Sequence, residues 1–518
     1  MERKIVLLIL DGWGIGRKDY SNPIHVAQPP RLNAIRANYR SATLQSSGIS
    51  VGLPWGEEGS SEVGHLTIGA GKVIYQHFPR ITLAINDRSF FKNPALVGAV
   101  KHATQRGSAL HLAGLLTEGN VHASLDHIKA LIELAKKGGV QNLNLHLWSD
   151  GKDSPPKSLL PLMSRVRSFI KEAGVGRIAS VGGRFYALDR DEHWTRTKKA
   201  YEAMVGAAPT VKDLETAINE HYGRDLGDEF IEPCMIGPES HPVREHDALI
   251  FFDFREDNMR QIASPFILKG FDHFPAEKFE DLAVATMTNY SKTFSVPVAF
   301  PNEAINAPLG KILADSGRLQ LHIAETEKYA HITYFFNGYR EEPFPNEYRV
   351  LIPSRNVAGH DEAPEMMAHE VAARIVESVE EGGFDFILGN LANADVIAHT
   401  GNFEAATAAV KIIDEEVGRI VDACLAHGYY CAITSDHGNI ERMINPMTGR
   451  PETTHNANLV PFYLVGSGFE HPKNDGEIEL LEGEATGMLG DVAPTILELF
   501  GIPKPEEMTG ESLLRILE

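Results

Sequence analysis

The chain has 518 residues, more than one hydrophobic core usually supports, so two or three domains are expected. A formal net charge of -21 argues against nucleic acid and anionic membrane as partners, because phosphate-bearing surfaces would repel most of such a protein. The longest early apolar run, Ile5 to Leu10, is too short to cross a bilayer or to form a signal core, and three cysteines without C-x-x-C spacing do not build a disulfide framework; a cytoplasmic protein is expected.

The first strand-like run, "KIVLLILDG", ends in Asp11. The Gly12-Trp13-Gly14-Ile15-Gly16 that follows has Arg17 where a dinucleotide fingerprint needs its third glycine. "GSSEVGHLTIGAGK", residues 59 to 72, fails as a phosphate loop in the same way. Leu66 stands where the first glycine of G-x-x-x-x-G-K-[S/T] must be, and Val73 replaces the hydroxyl residue. What remains in it is a hydroxyl at the start of a predicted helix, Ser61, with Ser60 an equal candidate to cap that helix. Lys72 reads as a surface or hinge residue.

The middle of the chain holds a second set of strand-like runs: "ALHLAGLLTEG", "LNLHLWSDG", "RIASVGGR", "ALIFFDFR" and "LAVATMTN". Proline-bearing crossings at "YQHFPRI" and "FSVPVAFPNEA" set it off as an insertion over 77–303, with 1–76 and 304–518 forming a discontinuous outer domain. Strands alternating with amphipathic stretches make both domains α/β. His111 and His146, in strand alternation, read as structural.

Past the insertion come "FDFILGN", "ANADVIAHTGN", "YYCAITSDHG", "ETTHNAN" and "PFYLVGSG". Four of the runs, "KIVLLILDG", "FDFILGN", "YYCAITSDHG" and "PFYLVGSG", end in Gly, Asp or Asn as buried parallel strands do. Ligands collect outside the carboxyl ends of such strands, so Asp11, Asn390 and the Asp436-His437 pair are expected to converge. Asp395 and His399 stand four apart, a spacing that puts both on one face of a helical turn, although a capping Asp and a surface His would give the same pattern. His455 has no apolar periodicity to explain it. With Ser61 these residues offer carboxylate, imidazole and hydroxyl donors, a mixture that suits Mn²⁺ or Zn²⁺.

Taken in order, "LILDGWG", "SSEVGHLTIGAG", "ETEKYAHITYFFNG", "SDHGN" and "DVAPTILELFGI" resemble the cofactor-independent phosphoglycerate mutases of the alkaline-phosphatase-like superfamily, over nearly the whole chain. The resemblance implies an alkaline-phosphatase-like α/β domain with an inserted α/β transferase domain, and an isomerase that moves phosphate between the 3- and 2-hydroxyls of glycerate through a phosphoserine on Ser61. It implies two Mn²⁺ ions, with Zn²⁺ or another divalent metal as alternatives: one on Asp395, His399 and His455, the other on Asp11, Ser61, Asp436 and His437. It implies a substrate grip from His122, Lys152, Asp153, Arg184, Arg190, Arg255, Asn258 and Lys328, with Asp153 as acid and base for the glycerate hydroxyls. A solvated turn aspartate is the plainer reading of Asp153.

The family has arginine where this chain has Lys152, and again where it has Asn258. Arg260 lies close enough in sequence to reach that second vacant place. A relative acting on another small phosphorylated or phosphonylated acid, or a metal-dependent phosphomonoester hydrolase, is the alternative. The expected partner is a small anionic substrate, and the expected state a monomer.

Overall fold

The computed structural model describes residues 3–237 and 241–517. Its strands are β1 Lys4–Leu10, β2 Arg40–Gln45, β3 Ala109–Leu116, β4 Asn142–Ser149, β5 Arg177–Gly183, β6 Thr210–Val211, β7 Cys234–Ile236, β8 Ala248–Phe251, β9 Ala283–Thr286, β10 Gln320–Glu325, β11 Glu347–Ile352, β12 Phe386–Leu391, β13 Tyr429–Thr434, β14 Val460–Val465 and β15 Gly487–Met488. The chain forms two compact units, Met1–Gln76 with Glu303–Glu518, and His77–Asn302.

The first unit is built on an eight-stranded sheet of order β11-β10-β12-β1-β13-β14-β2-β15. β1 lies between β12 and β13 and is parallel to both, while β10 is parallel to β12 and β11. The six residues Ile5 to Leu10 are all buried. Val6, Leu8 and Leu10 pack into the core on one face, and Ile5, Leu7 and Ile9 into the core on the other. Two covered faces explain the unbroken apolar run, and each such side chain contributes about 1.5–3 kcal/mol over its exposed state.

β14, the "PFYLV" run, departs from the expected parallel set: it is antiparallel to both β13 and β2. An apolar run buried on two faces carries no sign of its direction. No helix lies between β13 and β14 among the described residues, so the chain turns back at the end where β13 stopped instead of crossing over.

The second unit holds a seven-stranded sheet of order β6-β7-β5-β4-β3-β8-β9. The five runs named from sequence are β3, β4, β5, β8 and β9, joined by parallel pairs. The short β7, which carries Cys234, is antiparallel to β5. Helices such as Leu125–Lys137, whose Leu125, Ile128, Leu131, Ile132 and Ala135 recur at helical spacing, cover the sheet and close one core. All three cysteines are free and buried. Among the described residues no helix is long and apolar enough to cross a membrane.

Candidate active site

In the first unit the chemistry collects where parallel strands end. Asp11 follows β1, Asn390 is the penultimate residue of β12, and Asp436 and His437 lie just past the end of β13. Ser61 is the first residue of the helix Ser61–Ala70, and the cap is Ser60, whose Oγ accepts from the Val63 N–H at 3.4 Å. Ser61 is thus free of capping duty. Its helix sits close to Asp436 because residue 64 is glycine: a Cβ there would stand 2.6 Å from the Asp436 carbonyl oxygen and 2.8 Å from its Cβ.

Around Ser61 Oγ stand Lys328 Nζ at 2.8 Å, His437 Nε2 at 2.9 Å and Asp11 Oδ1 at 3.1 Å. Lys328 Nζ also donates to Asp11 Oδ1 at 2.6 Å and Asp395 Oδ2 at 2.7 Å. Lys328, expected among the residues gripping substrate, therefore belongs to the serine cluster, delivered by the helix Thr326–Ala330 that follows β10. Burial and the neighbouring Asp436 raise Asp11 above the usual carboxylate range, against the Lys328 charge. Burial works the same way on Asp395, but the ammonium and the bonds from His399 and His455 outweigh it and hold that carboxyl well below the usual range. Lys328, although buried, is raised by Asp11 and Asp395.

Besides Asp11, His65 and Asp436, two groups of donors in this cluster could hold a cation. His399 Nε2 and His455 Nε2 both stand 3.2 Å from Asp395 Oδ1 and 3.0 Å from each other. Their Nδ1–H groups donate to the Thr453 and Gly59 carbonyls, each at 2.8 Å, and this orients both Nε2 atoms onto Asp395 Oδ1. In the other group, Asp11, Asp395 and His437 present ligand atoms within 4.8 Å of one another. Asp436 Oδ2, fully buried, has no hydrogen-bond partner among the described residues. Three buried carboxylates facing one ammonium, with lone pairs left over, are suited to holding metal ions. His65, whose spacing in the sequence is that of an ordinary helical residue, is fully buried among them, with Nδ1 3.2 Å from Asp436 Oδ2. Burial lowers its pKa, but the neighbouring carboxylates of Asp436 and Asp11 outweigh this and raise it.

The second unit has its own polar cavity, of about 310 Å³, lined by His122, Lys152, Arg184, Arg190, Arg255 and Asn258 among others. Arg184, immediately after β5, is the hub. Its Nη1 donates to Asp150 Oδ1 at 2.5 Å and Asp153 Oδ2 at 2.9 Å, and its Nη2 lies 3.0 Å from His122 Nε2. Burial and then the guanidinium charge push His122 down to about 4, so its Nε2 is an acceptor. Asp153 is partly buried and tied to Arg184, not a solvated turn residue. Gly119 makes room for it: a Cβ there would lie 2.5 Å from that of Asp153.

Asp150 gave no signal in the sequence beyond its place at the end of β4. It is buried, takes the Thr117 hydroxyl at 2.7 Å and the backbone N–H groups of Lys152 and Asp153 at 3.2 Å, and so shapes the turn. Arg190 and Arg255 both bind Asp257, and Lys152 Nζ lies 3.1 Å from Glu229. The Asn258 amide donates to the Leu188 carbonyl at 2.9 Å. Arg260 does not reach the place beside it: Arg260 Nε is committed to the Tyr290 carbonyl at 2.8 Å, and the residue is not among those lining the cavity. Lys72, read as a surface or hinge residue, is buried and bonded to Glu303 and Glu507 at 3.0 and 3.2 Å, because its ammonium finds two carboxylates within its own unit.

Residues 81–292 match the family model described as the BPG-independent PGAM N-terminus. The 2,3-bisphosphoglycerate-independent phosphoglycerate mutase of Moorella thermoacetica is 45% identical, covering 99% of this chain and 99% of that one. The 2,3-bisphosphoglycerate-independent phosphoglycerate mutase 2 of Methanosarcina acetivorans is 44% identical, covering 99% and 97%. Among solved structures, a phosphoglycerate mutase of Leishmania mexicana, crystallised at low cobalt concentration, superposes with a TM-score of 0.52 at 27% identity, covering 99% of this chain and 97% of that one. The likeness runs along both units and through every stretch that carries the serine cluster and the arginine-lined cavity: the chain belongs to the 2,3-bisphosphoglycerate-independent phosphoglycerate mutase family.

Proposed function

We propose that this chain interconverts 3-phosphoglycerate and 2-phosphoglycerate, with Ser61 carrying the phosphoryl group between the two hydroxyls. The observation that carries the reading is the setting of Ser61 Oγ, which an ammonium, an imidazole and a carboxylate approach to within 3.1 Å at a helix start. Lys328 donates to the serine oxygen and so stabilises its anionic form, and the first N–H groups of the helix Ser61–Ala70 favour an anion beside it.

Two divalent cations would be held by Asp395, His399 and His455, whose ligand atoms lie together, and by Asp11, Asp436, His437 and Ser61, of which Asp11 and His437 stand in a second such group with Asp395; Mn²⁺ or Zn²⁺ suits the nitrogen and oxygen mixture. Bound there, they would supply the positive charge that lowers the cost of an ionised serine and neutralises the phosphoryl group in flight. In the second unit Arg184, Arg190 and Arg255 suit the planar carboxylate of glycerate. Asp153, its carboxylate aligned by Arg184, takes a proton from one glycerate hydroxyl and returns one to the other. The substrate is a small anion and the active species a monomer.

A second reading is favoured by two residues. Lys152 is drawn to Glu229, and Asn258 is bonded to a backbone carbonyl, where the family offers two guanidinium groups. An acid of different shape, phosphorylated or phosphonylated, would then be the substrate. Protein with Mn²⁺ and 3-phosphoglycerate, followed by ³¹P NMR, separates the readings: 2-phosphoglycerate is expected. Inorganic phosphate alone would make the chain a hydrolase, and no turnover by metal-loaded protein would favour another acid.

A further inference from the structure

Asp11 presents one oxygen to the reacting cluster and keeps the other out of it. Its Oδ1 faces Ser61 and Lys328, while its Oδ2 accepts from Asn390 Nδ2 at 2.8 Å. The same Asn390 Nδ2 lies 3.0 Å from His65 Nε2, and His65 Nδ1 lies 2.9 Å from the Ser61 carbonyl. Asn390 and His65 are fully buried.

With the Asp11 carboxylate ionised and the His65 ring neutral, the chemistry of these contacts has one arrangement. A carboxylate only accepts, so Asn390 must turn its NH₂ toward Asp11, and its second N–H then points at His65 Nε2, which must accept. A carbonyl only accepts, so His65 Nδ1 carries the ring proton and gives it to Ser61. Hydrogen bonds thus run from Asp11 through Asn390 and His65 to the backbone of Ser61. They join the strand end that supplies the carboxylate to the helix that supplies the hydroxyl.

We infer that His65 and Asn390 are positioning residues, a strut that fixes the rotation of the Asp11 carboxylate relative to Ser61, and that His65 is not itself a metal ligand. Three His65, Asp11 and Asp436 atoms lie close enough to hold an ion, but the Nε2 lone pair is used by Asn390, and Nδ1 bears a proton. Without the strut, Asp11 turns about its Cβ–Cγ bond and both a cation and the serine lose a fixed partner. The inference rests on the cluster being a cation site, as proposed above.

The test uses the full chain and the variants Asn390→Ala, Asn390→Ser, His65→Gln and the double variant Asn390→Ala/His65→Gln. Circular dichroism establishes that each folds, calorimetry with Mn²⁺ alone gives the affinity, and metal-saturated protein is assayed with 3-phosphoglycerate. Loss of such outer partners is expected to weaken Mn²⁺ binding about 10–100-fold. In the assay kcat is expected to fall with KM little changed, and the double variant should be no worse than the poorer single one, since either break severs the strut. Parental Mn²⁺ affinity in folded Asn390→Ser or Asn390→Ala, losses that add in the double variant, or a wild type that binds no Mn²⁺ would each overturn it. Should the variants not fold, ¹⁵N NMR of histidine-labelled wild type with Mg²⁺ decides: Nδ1-protonated His65 is expected, and an Nε2-protonated ring overturns the strut. If the wild type binds Mn²⁺ but leaves 3-phosphoglycerate unchanged, the mutase reading fails while the calorimetric comparison still tests the strut.

Discussion

Lys328 Nζ stands 2.8 Å from Ser61 Oγ and, at 2.6 and 2.7 Å, binds the carboxylates of Asp11 and Asp395. One ammonium therefore holds together a serine and two buried acids that lie far apart in the sequence. Replacing it by methionine keeps much of the volume and removes the charge. Breaking a buried ion pair from one side costs about 3–5 kcal/mol, because the remaining carboxylates are left uncompensated. Lys328→Met should lose that stability when purified with a chelator, recover part of it on adding Mn²⁺, and lose at least about 100-fold in kcat, the scale of removing one preorganised donor. Denaturation with and without Mn²⁺, beside the turnover assay, reads all three; equal stability in both conditions would contradict the charge argument.

Gly64→Ala tests whether the helix Ser61–Ala70 must approach Asp436 as closely as it does. The added Cβ would meet the Asp436 carbonyl oxygen at 2.6 Å and its Cβ at 2.8 Å, neither of them the far end of a flexible side chain that could yield. Overpacking of this kind costs about 1–3 kcal/mol. Ser61 moves with its helix, so activity should fall further than stability does. A variant with parental kcat would show that the approach has slack.

The fold class and the acids at the strand ends were legible for one reason: parallel strands buried on both faces are uninterrupted apolar runs, and their last residues point to a common edge. Asp11, Asp436 and His437 could be placed together from "LILDG" and "TSDHG" on that ground. The direction of β14 was not legible, since a two-faced apolar run looks the same read either way. Nor was His65: inside "SEVGHLTIG" it has the spacing of an ordinary helical residue, and only the packing of that helix on Asp436 and Asn390 shows its purpose. Asp150 was hidden likewise, being one acid of two in "SDGKD". The course of Arg260 could not be read at all, because proximity in sequence says nothing of which carbonyl a guanidinium will find.

Arg184 makes three contacts at once, with Asp150, Asp153 and His122. Lysine offers one point of charge and cannot reproduce the fork. Arg184→Lys should therefore raise KM for a phosphorylated acid by about 10-fold or more, one lost charge-assisted bond being about 1.5–3 kcal/mol. It should also lower kcat, because Asp153 loses the partner that aligns it. Asp150→Asn should show the same pattern more weakly, through a loosened Arg184. Steady-state kinetics of both variants checks this, and an effect on kcat alone in Arg184→Lys would remove it from the substrate grip.

His127 gives a pH prediction away from the metal-binding cluster. It is fully buried, its Nε2 lies 3.1 Å from the Thr82 hydroxyl, and burial pushes it down to about 3. An unfolded histidine titrates near 6.5, so below that pH the unfolded chain takes up a proton that the folded one refuses. Its contribution to stability is thus unchanged above about pH 6.5 and falls as pH drops toward 3, by about 1.4 kcal/mol per unit. Asp253, pushed up to about 8 by burial, works in the opposite sense, so the total slope does not isolate the histidine. The comparison that does is His127→Gln against the parent. Glutamine costs stability at about pH 7.5, where the imidazole packs better, and between there and about pH 5 the difference should shift by about 2 kcal/mol in favour of the variant. Urea unfolding at the two pH values measures it, and parallel pH dependences would show that His127 is protonated without penalty in the folded chain.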